Sequence, residues 1–290
     1  MCSRTGWPIS AVTDVPPPVT SRLDAELVRR GLARSRGQAR DLVADGQVLV
    51  HGRSAAKPGA PVPVDAPITL TSEPDRWVGR AAYKLLRALE VFGPRGLRID
   101  GKRCLDVGAS TGGFTQVLLE AGAATVVALD VGHGQLAAAV AEDPRVQERS
   151  GTNIRDVETG ALGPPFDVVV ADLSFISLSL VLGRLREQLA EDGDAVLLVK
   201  PQFEVGRDRL ARTGVVTSEH ERRRVVEATV RAARAAGLRP LALATSPIAG
   251  ADGNREYLLW AAPGRAADLD DQTLETMVAT VFAPRPEDTP

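Results

Sequence analysis

Residues 104–114 read Cys-Leu-Asp-Val-Gly-Ala-Ser-Thr-Gly-Gly-Phe, an apolar run that ends in a glycine-rich turn. The apolar run has the length of a β-strand, and the turn leads into a predicted helix. Glycine in such a turn allows a positive φ and lets the backbone approach a ligand closely. The segment therefore predicts the strand, turn and helix with which a nucleotide-binding α/β domain begins.

Strand and helix patterns alternate through the rest of this part of the chain, which is typical of a parallel sheet covered on both faces. Strands are predicted at residues 103–107, 125–131, 146–149, 167–172, 195–200, 239–245 and 256–261. The gap at 246–255 is too short for a parallel crossover, so the last strand should run antiparallel. The predicted fold class is α/β, a Rossmann-like sheet of seven mostly parallel strands with a terminal antiparallel hairpin.

Two carboxylates end the first two predicted strands and indicate the kind of ligand. Asp130 lies where an acidic side chain can accept hydrogen bonds from both hydroxyls of a ribose. Asp106 precedes the turn, where it would repel the phosphates of a dinucleotide and attract a cation. S-adenosylmethionine carries an amino group and a sulfonium without phosphate, so these residues favour a methyltransferase over a dehydrogenase. A structural turn without a ligand is the third reading.

The cofactor-binding candidates are the two carboxylates, the turn and one aromatic residue that follows the fourth strand. They are Asp106, Gly108, Ala109, Ser110, Thr111, Gly112, Gly113, Asp130 and Phe175. For Phe175 the alternative is a place in the hydrophobic core.

A second group of charged residues should meet at the same edge of the sheet. Asp172 and Lys200 end the fourth and fifth predicted strands, and ligands of open parallel sheets bind beyond the carboxyl ends of the strands. Glu256 begins the antiparallel strand and therefore starts at the same edge. Lys84, on a helix predicted at 80–92, can reach that edge from the flank. We expect these four to be the catalytic residues, with structural ion pairs as the alternative.

Only four of the 35 basic residues are lysine, so the lysine at position 200 is informative. Arginine serves a static ion pair better, whereas lysine can give up a proton and then act as a base. A ribose hydroxyl is a weak acid and needs a base beside it. Lys200 would supply that base, with Asp172 and Lys84 orienting it, which favours 2'-O-methylation of a ribose.

Two other methyl acceptors fit the residues less well. Methylation of a pyrimidine carbon typically needs a cysteine nucleophile, and neither Cys2 nor Cys104 is placed for that role. Methylation of a base amine usually uses an Asn/Asp-Pro-Pro-aromatic turn, which residues 172–175, Asp-Leu-Ser-Phe, resemble in part. Methylation of a base amine therefore stays open.

The N-terminal part of the chain is basic and forms a separate module. Residues 20–60 hold eight basic and four acidic side chains although the whole chain has a net charge of -2, which suggests a polyanionic partner for this end. Helical patterns at 22–31 and 35–44, with strands at 48–50 and 68–70, predict a small α+β domain.

Four motifs carry a likeness to a known family. Residues 105–115, 171–178, 199–204 and 253–256 closely resemble the TlyA family of ribosomal RNA methyltransferases, some of which are labelled haemolysins. Residues 22–70 resemble the S4-type RNA-binding domain of that family.

The resemblance implies an FtsJ-like, class I methyltransferase fold, S-adenosylmethionine as donor, and 2'-O-methylation of cytidine in the ribosomal RNA of ribosomal subunits. It places the family's Lys-Asp-Lys-Glu tetrad on Lys84, Asp172, Lys200 and Glu256. The segment 136–140 departs from the family pattern, which leaves contacts to the adenine unassigned. An RNA-binding assembly factor without turnover and a membrane-active haemolysin are the alternative functions.

Phosphate contacts by arginine give affinity without sequence choice, so the N-terminal module should dock the RNA. The RNA-binding candidates are Arg22, Arg34, Arg36 and Arg40.

These patterns divide the chain into a tail, two domains, a linker and a C-terminal segment. The expected boundaries are a disordered tail at 1–19, the RNA-binding domain at 20–72, a linker at 73–79, the methyltransferase domain at 80–263, and a helix with an acidic tail at 264–290. No apolar stretch approaches the ~18 residues of a membrane helix, and no secretory signal is visible. Two cysteines predict neither a disulfide framework nor a metal site. We expect a cytoplasmic monomer without stable membrane association.

Overall fold

The computed structural model describes residues 19–33, 36–71, 75–206, 209–250, 253–263 and 271–283. The chain divides into two compact units, Met1–Arg76 and Trp77–Pro290. The predicted tail lies outside the described residues except for Val19. Residues 72–74, where the predicted RNA-binding domain meets the predicted linker, also lie outside the described residues. So do residues 264–270 and 284–290 of the predicted C-terminal segment.

The N-terminal unit is a small α+β domain, as predicted. Its elements are β1 (Thr20–Arg22), α1 (Leu23–Arg29), α2 (Arg36–Ala44), β2 (Val48–Val50), β3 (Arg53–Ser54), β4 (Pro61–Pro63) and β5 (Ile68–Leu70). Strand β2 pairs antiparallel with β3 and β5, and β1 pairs antiparallel with β4. Leu23, Leu27, Ala39 and Val48 bury their side chains in one cluster. Strands β1, β3 and β4 were not predicted because they read Thr-Ser-Arg, Arg-Ser and Pro-Val-Pro, without the apolar and β-branched residues that mark β2 and β5.

The C-terminal unit contains the predicted seven-stranded sheet. Its strands are β6 (Arg103–Val107), β7 (Thr125–Asp130), β8 (Val146–Ser150), β9 (Phe166–Ala171), β10 (Leu189–Val199), β11 (Arg239–Thr245) and β12 (Tyr257–Ala262). They lie in the order β11-β12-β10-β9-β6-β7-β8. Strand β12 is antiparallel to both neighbours, and the pairs among β6 to β10 are parallel. The predicted fold class, with its antiparallel hairpin, is confirmed.

Helices cover both faces of this sheet. They are α3 (Ala82–Phe92), α4 (Gly113–Glu120), α5 (Ala138–Ala141), α6 (Leu182–Gln188), α7 (Pro201–Glu204), α8 (Glu219–Ala235) and α9 (Asp271–Phe282), with 3-10 turns at Gly93–Arg95, Ile154–Asp156 and Leu178–Leu180. Leu185 and Val226 belong to the apolar cluster on one face, and Phe92 and Leu118 belong to the cluster on the other. Strands buried on both faces read as continuous apolar runs, which made them recognisable in the sequence.

Three predicted strand ends differ from the observed ones in a way that matters for the site. Strand β9 ends at Ala171 and β10 at Val199, so Asp172 and Lys200 are the first residues after their strands. Glu256 immediately precedes β12 rather than opening it. All three side chains therefore belong to loops at one edge of the sheet. Beside them, the strand order reverses between β6 and β9, where α/β sheets bind ligands.

Candidate active site

The turn after β6 has a backbone that requires glycine at two positions. Gly108 has a φ of 86°, and a Cβ atom there would lie 2.6 Å from the carbonyl oxygen of Asp172. Gly112 has a φ of 93°, and its Cβ would lie 2.8 Å from the side chain of Leu136. Ser110, with a φ of 47°, is left-handed as well. The turn therefore brings β6 against the end of β9 more closely than any residue with a side chain allows.

Asp130 holds this turn to the end of β7. One carboxylate oxygen accepts a hydrogen bond from the amide of Ser110 at 2.8 Å, and the other accepts one from the amide of Gly132 at 2.7 Å. Each oxygen keeps a second lone pair, so the carboxylate can still accept hydrogen bonds from a ligand.

A cavity of about 730 Å³ opens beside the turn. Its wall includes Gly108, Ser110, Asp130, Asp172 and Phe175. The volume lies in the range of small-molecule sites. With a carboxylate on the wall and a backbone that lacks a side chain at the point of closest approach, the cavity fits a nucleoside-bearing cofactor. The other turn candidates, Ala109, Thr111, Gly112 and Gly113, shape the turn without lining this cavity.

Asp106 differs from the other cofactor candidates because it is fully buried and does not line the cavity. Its Oδ2 accepts a hydrogen bond from the hydroxyl of Thr115 at 2.7 Å, and its Oδ1 has no hydrogen-bond partner among the described residues. Burial raises the pKa of Asp106 from 3.8 to about 7. Its contact with a cofactor amino group stays a prediction.

The raised pKa of Asp106 predicts a stability that depends on pH. Because the folded state holds this proton more tightly than the unfolded state, the contribution is full below pH 4 and is lost as the pH rises through 7. Asp106→Asn cannot ionise and still accepts from Thr115. We expect its stability relative to wild type to increase by about 2 kcal/mol between pH 5 and pH 7, measured by urea unfolding. A stability difference between Asp106→Asn and wild type that does not change with pH would contradict the assignment.

The four predicted catalytic residues meet in one charge network. Lys84 Nζ lies 3.2 Å from Asp172 Oδ2 and 2.7 Å from Glu256 Oε2. Lys200 Nζ lies 2.6 Å from Asp172 Oδ1 and donates a hydrogen bond to the hydroxyl of Ser174 at 2.9 Å. None of the four charged side chains is more than 10% exposed. The structure thus brings together residues that lie far apart in the sequence.

Opposite charges alternate through the network, so each buried charge has a partner. Burying an unpaired charge is costly, and Asp172 reduces that cost for both lysines at once. Lys200 Nζ contacts Asp172 and donates a hydrogen bond to Ser174, which together fix its position. In its neutral form the amine has a lone pair, with which it can accept the proton of a hydroxyl.

Two further residues of the site were not selected from the sequence. Ser174 accepts from Lys200, and the amide nitrogen of Gln202 donates to Glu256 Oε1 at 3.4 Å. Both lie inside the motifs at 171–178 and 199–204, and that position was the only signal that could have identified them. Their contacts depend on how two loops approach each other.

Phe175 is placed at the open side of the cavity. It is 92% exposed, so its alternative place in the core was wrong. Its φ of 65° is uncommon for a residue with a large side chain, and its ring lies 5.4 Å from that of Phe203. Such backbone strain occurs often at functional sites. A contact of Phe175 with the cofactor stays a prediction.

The N-terminal arginines are organised by buried carboxylates. Arg22 and Arg36 both pair with Asp24, at 2.9 Å and 3.1 Å. Their hydrogen bonds, above all that of Arg22, hold the pKa of Asp24 well below its usual range. Both arginine side chains are more than half exposed, and Arg40 is exposed too. Arg34 lies outside the described residues. An RNA contact by these arginines stays a prediction.

Among the residues that the structure describes, no helix combines the length and apolar character needed to cross a membrane. In the same residues, no cluster of three His, Cys, Asp or Glu side chains is placed to hold a metal ion.

Comparison with known proteins matches each of the two units to a protein family. A family model for FtsJ-like methyltransferases matches residues 77–262, and one for the S4 domain matches residues 21–68. The chain is 46% identical over 92% of its length to "16S/23S rRNA (cytidine-2'-O)-methyltransferase TlyA" of Mycobacterium tuberculosis, covering 98% of that protein. It is 34% identical over 82% of its length to "Hemolysin A" of Brachyspira hyodysenteriae, covering 98% of that relative.

A solved structure agrees with this placement. A hemolysin-labelled protein from Streptococcus thermophilus matches with a TM-score of 0.71 and 35% identity, over 91% of this chain and 95% of that one. Sheet, turn and family match together define a Rossmann-like, FtsJ-type methyltransferase that also carries an S4 domain. Within that class, the chain belongs to the TlyA family.

Proposed function

We propose that this chain methylates the 2'-hydroxyl of a cytidine ribose in ribosomal RNA, with S-adenosylmethionine as the donor. The observation that carries the proposal is the network of Lys84, Asp172, Lys200 and Glu256 beside the cavity. It offers a lysine amine to a hydroxyl acceptor, which a base amine or a carbon would not need. The relatives' names, which specify cytidine-2'-O-methylation, support the same acceptor.

The cavity would hold the cofactor through the turn and Asp130. The two carboxylate oxygens of Asp130 would accept from the ribose hydroxyls, and Gly108 would allow the close approach. When bound, S-adenosylmethionine supplies a methyl group on a positively charged sulfur. Asp106 lies beneath the turn, where its unpartnered oxygen can respond to a nearby positive charge.

Lys200 takes the proton of the ribose hydroxyl onto Nζ as that oxygen becomes the nucleophile. Asp172 fixes the amine through its 2.6 Å contact and stabilises the positive charge that the proton brings. Lys84 forms an ion pair with the second oxygen of Asp172, and Glu256 forms another ion pair with Lys84. The carboxylates thus hold the two lysines in place, and the lone pair of the neutral Lys200 amine would face the acceptor.

The N-terminal unit would bind the RNA backbone. The side chains of Arg22 and Arg36 are more than half exposed, and Asp24 fixes their orientation. Phosphate contacts of this kind give affinity that falls steeply with salt. Because ribosomal subunits are the substrate, the reaction takes place in the cytoplasm, and we expect one chain per active enzyme.

The direct test uses subunits from cells that lack this protein. Purified small and large subunits are incubated with the chain and a radiolabelled methyl donor, and the labelled RNA is digested to nucleosides. We expect label in 2'-O-methylcytidine, and alkaline hydrolysis of a second sample should leave the label in resistant dinucleotides. Tight RNA binding with no label would instead indicate an assembly factor, label on a base would indicate methylation of an amine, and leakage of liposomes at low salt would revive the haemolysin alternative.

Removal of the Asp130 carboxylate should weaken the cofactor site most directly. Asp130→Ala loses two acceptors for the ribose and the anchor of the Ser110 amide, so we expect the Kd for S-adenosylmethionine to rise about 10- to 100-fold by calorimetry. Asp192→Ala, near the far end of β10, is the matched control and should bind normally. An unchanged Kd in Asp130→Ala would remove this residue from the cofactor site.

A further inference from the structure

Residues 173–178, the acceptor loop, connect β9 to the 3-10 turn at Leu178–Leu180. Five of them, from Leu173 to Ser177, line the cavity. The loop also supplies Ser174, the hydrogen-bond acceptor for Lys200. It therefore lies between the cofactor cavity and the proposed base, and its position affects both.

Glu204 holds the far end of the acceptor loop. Its Oε2 accepts a hydrogen bond from the hydroxyl of Ser177 at 2.6 Å, and its Oε1 accepts one from the amide of Leu178 at 2.6 Å. Leu178 is the first residue of the 3-10 turn, where a backbone amide has no partner within the turn. The carboxylate supplies that partner, although burial raises the pKa of Glu204 and so works against its charge.

The acceptor loop and the segment that carries Lys200 meet at three successive points. Lys200 contacts Ser174, and the ring of Phe203 lies against that of Phe175. Glu204 completes the series at Ser177 and Leu178. Lys200 and Glu204 are the residue before α7 and its last residue, so this short helix spaces the base and the carboxylate rigidly.

The backbone conformation of Phe175 is a second reason why the acceptor loop must be held at its far end by Glu204. A phenylalanine at a φ of 65° is strained and keeps that conformation only where its surroundings impose it. The hydrogen bonds from Glu204 begin two residues later, at Ser177. Without them, the acceptor loop can relax and move Ser174 away from Lys200.

We propose that Glu204 is a positioning residue of the methyl transfer: by fixing Ser177 and Leu178 it sets the acceptor loop so that Ser174 and Asp172 direct the Lys200 amine towards the ribose hydroxyl. The inference rests on the proposed function and adds a residue that acts only through others. The alternative is that Glu204 only stabilises the loop and has no effect on the position of the Lys200 amine.

Three variants of Glu204 test the proposal, because they differ in which of the contacts with Ser177 and Leu178 they keep. Glu204→Gln keeps a carbonyl oxygen for the Leu178 amide and an NH₂ group that can donate to the Ser177 hydroxyl. Glu204→Asp keeps the charge but is one methylene too short to reach both partners. Glu204→Ala removes both contacts. Positioning predicts that Gln restores the activity and that Asp does not.

The measurement is steady-state methylation of ribosomal subunits, with the cofactor Kd by calorimetry. We expect Glu204→Ala and Glu204→Asp to lower kcat about 10- to 100-fold, since a displacement of about 1 Å at a reacting group costs this much. The kcat of Glu204→Gln should stay within about threefold of wild type, and the KM for RNA should change by less than about threefold in all three variants. The cofactor Kd should rise by a smaller factor than kcat falls, although the loop also lines the cavity. Ser177→Ala should lower kcat less and have no further effect in the Glu204→Ala background.

A control and a direct readout make the outcome decisive. Thr229→Val removes a buried side-chain hydrogen bond within α8 and should keep full kcat. Hydrogen exchange of the peptide that contains Leu178 should be faster in Glu204→Ala than in wild type, whether or not RNA is present.

Three results would overturn the inference: normal kcat in Glu204→Ala, a Gln variant as poor as the Ala variant, or a loss confined to cofactor affinity. If wild-type protein transfers no methyl group, the proposed function fails and takes this inference with it. If wild type and Glu204→Ala transfer equally well, only the inference fails.

Discussion

Lys200→Met is expected to lower kcat for methylation of ribosomal RNA by about 10²- to 10⁴-fold, the usual contribution of a positioned base. Methionine has nearly the length of lysine but offers no proton acceptor of comparable basicity, so the ribose hydroxyl keeps its proton. The cofactor Kd should change little, because Lys200 is not part of the cavity wall. Single-turnover methylation of ribosomal subunits with labelled donor measures the effect.

Two further variants establish that the missing function is that of a base. Lys200→Arg keeps the charge and can pair with Asp172, but arginine does not give up its proton, so its kcat should be nearly as low. Lys102→Met removes a half-buried lysine that lies 3.9 Å from Asp167 and should retain full activity. If Lys200→Arg methylates as fast as wild type, Lys200 contributes charge and another group takes the proton.

Asp172→Asn is expected to have the second large effect, on activity and stability together. The asparagine keeps the shape of the side chain but not its charge, so Lys200 retains only Ser174, and Lys84 only Glu256. Breaking a buried pair from one side costs about 3–5 kcal/mol, so the free energy of unfolding should fall by about that amount. Activity should fall by at least about 100-fold, since the base is no longer oriented. Urea unfolding and single-turnover kinetics give the two numbers.

A second substitution tests the origin of the lost stability. Adding Lys200→Met to Asp172→Asn removes the unpaired charge, so the double variant should recover part of the unfolding free energy while staying inactive. Asp192→Asn, at an exposed position of β10, is the control for an aspartate lost without a buried partner. Equal stability of Asp172→Asn and wild type would show that the network carries no buried charge to balance.

Much of this site could be inferred from the sequence because its parts are attached to strong local patterns. Strands buried on both faces are short apolar runs, and Asp172, Lys200 and Glu256 stand directly at their ends. The parallel order of the strands then predicts one edge for all three. Lys84 was harder, because its helix could reach the edge only if it packed on the proper flank, and the 2.7 Å contact with Glu256 depends on that packing.

Other features were beyond the sequence because they depend on distances across the fold. Asp106 lies near the carboxyl end of its strand, where ligand-binding residues often lie, yet it is fully buried against Thr115. Glu191 to Asp194 lack the composition of a strand, so the first half of β10 was missed, although pairing with β9 holds it in the sheet. Nothing in the sequence showed that Asp24 binds two arginines, one at the end of β1 and one in α2.

By itself the sequence determined the α/β class, the antiparallel end of the sheet, the glycine turn and the edge at which the charged residues collect. Periodicity, strand length and turn chemistry are local properties, and each is written in consecutive residues. Only the tertiary structure decided which lysine contacts which carboxylate, that Asp106 is buried, and that Ser174 and Glu204 join two loops. Contacts of a few ångströms between distant segments follow from how all the side chains pack at once, and no single stretch of sequence contains that information.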